Sequence, residues 1–188
     1  MRVISGTFRG KKILEPKDKQ TRPLKDITKE SIFNILNHSN KFKINLENSN
    51  ILDLFSGIGS FGIECLSRGA KYVVFAEKYC GVLPVLKRNL QSLKLNKNYE
   101  IFEKDIYSIN FLGNLNKKFD VIFMDPPYKD KDLNLLLDNI KDQKILNNNG
   151  ILIVHRHKDE KDLIPNKFKI IEEKKYGLSK IIFLSILI

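Results

Sequence analysis

The stretch Asp53-Leu54-Phe55-Ser56-Gly57-Ile58-Gly59-Ser60-Phe61-Gly62-Ile63-Glu64 joins one apolar run to another across closely spaced glycines. The run from Asn50 to Phe55 has the length and composition of a buried strand. Glycines at 57, 59 and 62 then give the G-x-G-x-x-G spacing at a strand-to-helix junction, which lets backbone approach a ligand closely at a helix amino terminus. Taken alone, that spacing would suit a dinucleotide equally well.

Outward from this junction the pattern repeats. Tyr72 to Ala76 reads as a second strand with Glu77 at its end, about twenty residues beyond the glycines, where a carboxylate can take both hydroxyls of a ribose and rejects a 2′-phosphate. Val82, Val85, Leu86, Leu90 and Leu93 fall on one helical face within Tyr79 to Leu93. Pro84 is tolerable only in a first turn, so the helix is placed to begin near Leu83. Tyr99 to Glu103 is a third strand, with Asp105 just past its end in a position to accept from an adenine amino group.

A second informative stretch is Asp120-Val121-Ile122-Phe123-Met124-Asp125-Pro126-Pro127-Tyr128. Its apolar run reads as a strand that must stop at Asp125, because each proline fixes its own φ and removes an N–H. Pro127 also holds Pro126 away from helical geometry, leaving rigid, extended carbonyls at a strand's carboxyl end, where open α/β sheets bind ligands. An ionised Asp125 accepts hydrogen bonds, the Pro126 carbonyl accepts another, and the Tyr128 ring offers a stacking face. This set suits a planar group bearing an NH2. It would also stabilise the charge that develops on the nitrogen as it becomes a nucleophile.

Length and composition are consistent with one domain. The 188 residues are 42% hydrophobic, ample for a core. No apolar run reaches membrane-spanning length, and Met1-Arg2-Val3-Ile4-Ser5-Gly6 lacks the apolar stretch of a signal peptide, so a cytoplasmic location is expected. Cys65 and Cys80 have neither metal-ligand spacing nor the count of a disulfide framework, and read as reduced, packed thiols.

The formal net charge of +11 points toward a polyanion, although lysine and asparagine are abundant along the whole chain. Its distribution is more telling. Arg2, Arg9, Lys11, Lys12 and Arg22 lie in a front segment with few acidic residues, and residues 1–20 read as a small basic hairpin suited to phosphates. This hairpin is expected to add little to the core. Asp26 is placed to cap a helix through Ile27, Phe33, Ile35 and Leu36.

Toward the other end, Leu133, Leu136, Leu137 and Ile140 form a helical stripe. Asn147-Asn148-Asn149-Gly150 reads as a turn before a strand from Ile151 to Val154, and a closing hairpin turns around Tyr176-Gly177. His155 and His157 share one side of that strand's end. They are read as exposed side chains and not as a metal pair, since a metal site needs three or four ligands.

Asp53-Leu54-Phe55-Ser56-Gly57-Ile58-Gly59 together with Asp125-Pro126-Pro127-Tyr128 resembles the paired motifs of Rossmann-like, S-adenosylmethionine-dependent amino-methyltransferases. Met1-Arg2-Val3-Ile4-Ser5-Gly6 with Arg9-Gly10, the segment Arg22-Pro23 through Glu30-Ser31-Ile32-Phe33-Asn34-Ile35-Leu36, and Gly62-Ile63-Glu64-Cys65-Leu66-Ser67-Arg68-Gly69-Ala70 extend the likeness nearly end to end. With these segments the chain is similar to the bacterial family that methylates a guanine N2 of small-subunit (16S) ribosomal RNA.

The resemblance implies an α/β class I methyltransferase: a seven-stranded, mostly parallel sheet with an antiparallel carboxyl-terminal hairpin strand and helices on both faces. It also implies a monomer acting on small-subunit ribosomal RNA within an assembling subunit, with no metal and no membrane. Carried over by position, Asp53, Phe55, Ser56, Gly57 and Gly59 cradle the methionine part of S-adenosylmethionine, Glu77 the ribose, and Asp105 with Ile106 the adenine; Lys78 is a further cofactor-binding position. Asp125, Pro126, Pro127 and Tyr128 hold the guanine. Arg2, Arg9, Lys11, Lys12 and Arg22, read from the uneven charge distribution, are expected to contact the RNA. Other acceptors for such a tetrapeptide are a DNA adenine N6 or a protein glutamine; a nicotinamide oxidoreductase would share the glycines but leave Asp125 to Tyr128 without a purpose. Two positions depart from the family: Pro84, and His155-Arg156-His157 where an acidic residue is common. Neither is expected to touch the reacting centre.

Overall fold

Strands β1 (Asn50–Leu54), β2 (Tyr72–Ala76), β3 (Tyr99–Phe102), β4 (Phe119–Met124), β5 (Leu146–His157), β6 (Phe168–Tyr176) and β7 (Ser179–Ile186) form one seven-stranded sheet in the order β3-β2-β1-β4-β5-β7-β6. The first five are parallel, and β7 runs antiparallel to both β5 and β6. This computed structural model describes residues 1–16, 21, 24–94, 98–108, 111–127 and 130–187, so Arg22, Pro23 and Tyr128 lie outside the described residues. The expected architecture, including the antiparallel closing hairpin, is the one observed.

Strand residues alternate between two apolar layers because successive side chains leave opposite faces of a sheet. Ile51, Val73, Phe75, Val121 and Phe123 join the layer packed by α1 (Asp26–His38), α2 (Ser60–Ser67) and α3 (Leu83–Ser92). Leu52, Leu54, Val74, Ile122 and Met124 join the layer packed by α4 (Leu133–Asp142), whose predicted stripe is buried, and by a short 3₁₀ turn at Leu112–Asn114. Burial on both faces explains why these strands read as continuous apolar runs. In the first layer the Phe61 ring stacks between Phe33 at 5.2 Å and Phe123 at 4.1 Å, tying α2 to α1 and β4.

From β1 the chain winds outward to β2 and β3, then returns to lay β4 on the other side of β1. That reversal creates a crevice at the carboxyl ends of β1 and β4, the place where doubly wound sheets bind ligands. Register makes the juxtaposition close. Leu54 pairs with Met124, so the glycine loop and the Asp125 turn leave the sheet side by side.

Several local expectations are corrected. Asp26 does not cap α1: the capping position is Lys25, with no side-chain cap bond, and Asp26 sits in the first turn with its Oδ1 3.4 Å from Lys29 Nζ. Asn147 to Gly150 are not a turn but part of β5, where pairing passes from Phe119↔Leu146 to Val121↔Ile151 through an irregularity. The polar run is held there by Asn147 Nδ2 donating to Asp120 Oδ1 at 2.6 Å. Cys65 is buried as expected, but Cys80 is exposed; both are free thiols.

The largest correction concerns the front of the chain. Residues 1–13 do fold back on themselves, with a single bridge between Arg2 and Lys12, yet Val3 and Ile13 belong to the core. The Ile4 and Ser5 amides donate to the two oxygens of Glu64 at 2.8 and 2.9 Å, and Phe8 N–H donates to Ser67 Oγ at 2.9 Å. Gly6, at φ 82°, lies so close to α2 that an added Cβ would fall 1.8 Å from the Ser67 carbonyl oxygen. The basic segment is therefore bolted to the sheet's helical layer.

Candidate functional site

Phe55, Gly57 and Gly59 all have positive φ, at 59°, 54° and 82°, so the backbone reverses sharply between β1 and α2. The two glycines adopt this conformation without a Cβ penalty, whereas Phe55 is strained, a condition that concentrates at binding sites. Gly62 has a different job: a Cβ there would lie 2.3 Å from Phe75 Cε1, so its bareness lets α2 pack on β2. At Gly57 a Cβ would come within 3.3 Å of Thr21 Cγ2, a tight contact, so the loop there packs closely against Thr21.

The carboxylates around this loop are held by backbone. Glu77 accepts from Gly57 N–H through Oε2 and from Tyr79 N–H through Oε1, both at 2.8 Å. Asp53 is buried and accepts from Gly62 N–H at 2.9 Å, so it braces the start of α2 from beneath and does not project openly into the crevice. Burial pushes the Asp53 carboxyl well above its usual range; the Gly62 bond opposes this, and repulsion from Asp125 and Glu77 adds to it. Ser56 is buried, with its N–H on the Ala76 carbonyl at 3.1 Å.

At the ends of β2 and β3, Lys78 Nζ pairs with Asp105 Oδ2 at 2.8 Å. That bond, with a smaller contribution from the Tyr107 amide, holds the Asp105 carboxyl below its ordinary value against slight desolvation. Ile106 is buried behind it. Tyr107 donates its hydroxyl to Asp130 at 2.9 Å, and burial followed by that carboxylate pushes the phenol far up.

Asp125 follows β4 at the opposite lip of the crevice, its side chain 22% exposed. Pro126 is buried and Pro127 exposed. The Pro127 carbonyl accepts from Asp130 N–H at 2.8 Å and from Arg156 Nη1 at 3.3 Å. Arg156 is itself buried, salt-bridged to Asp162 at 2.9 Å, and also donates to the Asp130 carbonyl at 3.0 Å. The turn after β4 is thus pinned by an arginine that no local pattern in the sequence singles out.

His155, expected to be exposed and remote, is neither. It is 7% exposed, with Nδ1 2.8 Å from Asp125 Oδ1. His155 therefore touches Asp125, the carboxylate that the sequence reading assigns to the amine. Register alone carries the signal, since β5 pairs in parallel with β4 and Val154 faces Met124. Pro84 is accommodated in the first turn of α3, as expected.

Of the predicted RNA-binding cations, Arg2, Arg9 and Lys12 are exposed. Lys11 is half-buried, and its ammonium donates to the Ser92 carbonyl at the end of α3, where cations are favoured. Asn89 connects this segment to the crevice by bonding Leu14 on one side, at 2.8 Å to its N–H, and the Ile58 carbonyl on the other at 3.1 Å. Among the described residues no cluster could hold a metal ion, and no helix is long and apolar enough to cross a membrane.

Carboxylates gathered about a positive-φ loop fit a ligand that brings both hydroxyls and positive charge. Asp125 and Glu77 both repel the buried Asp53 carboxylate, and a nearby sulfonium would relieve that repulsion. Glu77 keeps lone pairs for ribose hydroxyls, and Asp105 with Ile106 offers an acceptor beside an apolar wall. Fold and crevice together are those of a class I, S-adenosylmethionine-dependent methyltransferase.

Within that class, the chain belongs to the family described as Conserved hypothetical protein 95, whose model matches residues 1–185. It is 34% identical over 185 residues to the ribosomal RNA small subunit methyltransferase D of Haemophilus influenzae, covering 95% of this chain and 90% of that protein. The protein of that name from Escherichia coli K12 is 31% identical over 143 residues, covering 74% and 68%. Among solved structures, the Escherichia coli protein yhhF superposes with a TM-score of 0.81 at 25% identity, covering 98% and 96%.

Proposed function

We propose that this chain transfers a methyl group from S-adenosylmethionine to the exocyclic N2 of a guanine in small-subunit ribosomal RNA. The observation that carries the reading is the pairing of Leu54 with Met124, which places the Asp125-Pro126 turn against the glycine loop at the sheet's reversal point. S-adenosylmethionine, when bound, supplies an electrophilic methyl on a sulfonium. Everything else is positioning by this chain. Phe55, Ser56, Gly57 and Gly59 would cradle the methionine part above Asp53; Glu77 with Lys78 would hold the ribose, and Asp105 with Ile106 the adenine.

Asp125 and the Pro126 carbonyl would accept from the guanine amine, fixing its lone pair toward the donor, and the Tyr128 ring would cover the base. Because a paired amine is inaccessible, the guanine would be turned out of its stack into the crevice. Aligning two bound reactants contributes roughly 7 to 11 kcal/mol. As the N–C bond forms the S–C bond would break, and no tuned side-chain pKa is needed because the product nitrogen sheds its proton to solvent after methyl transfer. The protein would act in the cytoplasm as a monomer on an assembling subunit, without a metal.

The direct test supplies the protein with methyl-labelled S-adenosylmethionine and either small-subunit RNA or assembling subunits, then digests the product for nucleoside mass analysis. Label in N2-methylguanosine supports the reading. Label in adenosine or in a protein glutamine overturns it.

Replacing Glu77 with alanine is expected to weaken S-adenosylmethionine binding by about 1.5 to 3 kcal/mol, the value of charge-assisted hydrogen bonds, without unfolding the protein. Calorimetry checks this, and an unchanged affinity removes Glu77 from the ribose site. Changing Arg2, Arg9 and Lys12 to alanine should spare cofactor affinity but weaken RNA binding. The slope of log affinity against log salt should become shallower by roughly 0.7 to 0.9 for each phosphate that is no longer neutralised. Full affinity with a full slope would place RNA docking elsewhere. Lys11 is left intact in that variant because its ammonium already closes α3.

A further inference from the structure

The imidazole of His155 bridges two elements. Nδ1 is 2.8 Å from Asp125 Oδ1, and Nε2 is 2.9 Å from Ser179 Oγ. The register of three strands builds this contact. In the parallel pairing of β4 with β5, Met124 faces Val154, so Asp125, just past the end of β4, comes level with His155 inside β5; in the antiparallel pairing of β5 with β7, Ser179 faces His157.

Because an ionised carboxylate can only accept, the ring nitrogen facing Asp125 carries the proton and donates it. The Ser179 hydroxyl can donate to Nε2 in turn, which selects this tautomer without placing a charge on the ring. We propose that His155 is a positioning residue for methyl transfer: it holds one oxygen of Asp125 so that the other faces the amine. The proposal rests on Asp125 being the amine's acceptor and extends it to a side chain that never touches the substrate.

Asp125 needs such a support. Its backbone is fixed by the prolines, but its side chain stands 22% exposed at the end of a strand, where a carboxylate rotates freely unless something grips it. The Asp53 carboxyl, buried beneath the glycine loop, is near enough for the two carboxylates to repel each other. A donor buried behind Asp125 fixes its direction where like charges would splay it outward. An acidic side chain at position 155 would add to the repulsion, so histidine changes the local arrangement and does not merely fill space.

The test uses the full chain with three substitutions: His155→Leu, which keeps bulk but removes the donor; His155→Asn, whose amide can place an N–H near the position of Nδ1; and Ser179→Ala, which frees the tautomer. For His155→Leu, kcat should fall roughly 10- to 100-fold, the scale of a small misplacement in a reacting pair. KM for RNA and the S-adenosylmethionine Kd should stay within about twofold, the pattern of an interaction that matters in the transition state. His155→Asn should recover most of the missing kcat, and Ser179→Ala should fall between wild type and His155→Leu.

A wild-type kcat in His155→Leu overturns the proposal, as does a loss of cofactor affinity equal to the loss of kcat with no recovery in His155→Asn. If the leucine variant does not fold, Ser179→Ala decides, and full kcat there rejects the positioning role. Failure of the underlying function looks different, because the wild-type protein itself would then leave small-subunit RNA unmethylated, and both readings would fall.

Discussion

Asp125→Ala is expected to lower the single-turnover rate of methyl transfer by a factor of about 100 or more while leaving S-adenosylmethionine affinity near that of the wild type. Loss of one positioned acceptor of developing charge costs roughly 2.7 to 4 kcal/mol of transition-state stabilisation. The cofactor should hardly notice, because the groups proposed for ribose and adenine stand at the ends of β2 and β3, on the other side of β1 from β4. Stability should fall by about 1 to 3 kcal/mol, because the buried His155 loses the acceptor of its Nδ1–H, but the fold should persist, since the backbone turn is held separately through the Pro127 carbonyl by Arg156 and Asp130. Rapid-quench transfer of labelled methyl, paired with calorimetry of the cofactor, separates the two quantities. Wild-type turnover in this variant would remove Asp125 from the mechanism.

How legible the molecule is in its sequence depends on whether a residue's partner is near it in the chain. The glycine loop, the start of α3 at Pro84 and the carboxylate ending β2 are readable because local rules govern them: positive φ, a missing N–H, a strand's end. The two halves of the crevice can be paired because each carries its own pattern. Glu64, Arg156 and His155 are not readable as working residues, since their partners are distant. Glu64 meets Ile4 across 60 positions, His155 meets Asp125 across 30, and Arg156 meets Pro127 across 29. The run Asn147 to Gly150 misleads for the same reason. Its polarity satisfies turn chemistry locally, but Asp120 on β4 supplies the partner that keeps it in the sheet. Charge misleads in a different way: Arg2, Arg9 and Lys12 are exposed as a basic face should be, while the apolar Val3 and Ile13 beside them anchor that face in the core.

The anchor leads to the largest expected effect on stability. Glu64 is fully buried in α2, and its carboxylate takes the Ile4 and Ser5 amides, Arg68 Nε at 2.8 Å and, more distantly, the buried Lys29 Nζ at 3.9 Å. Lys29 in turn donates to the Arg2 carbonyl at 2.9 Å. Burial lowers the Lys29 pKa, and Glu64 is the foremost charge opposing that. Glu64→Ala would leave a buried ammonium short of its main counter-charge and two backbone N–H groups without their acceptor. Breaking one side of a buried pair costs about 3 to 5 kcal/mol. Much of that penalty belongs to the stranded lysine, so Lys29→Met added to Glu64→Gln should cost less than the sum of the two single changes. Denaturant unfolding of the two single variants and the pair, read as a double-mutant cycle, measures the coupling. Additive losses would mean that Lys29 and Glu64 act separately. Coupled losses would mean that Lys29, which holds the Arg2 carbonyl, and Glu64, which holds the Ile4 and Ser5 amides, fasten the amino-terminal segment to α1 and α2 as one unit, so that the proposed RNA surface and the proposed cofactor crevice hold a fixed mutual geometry.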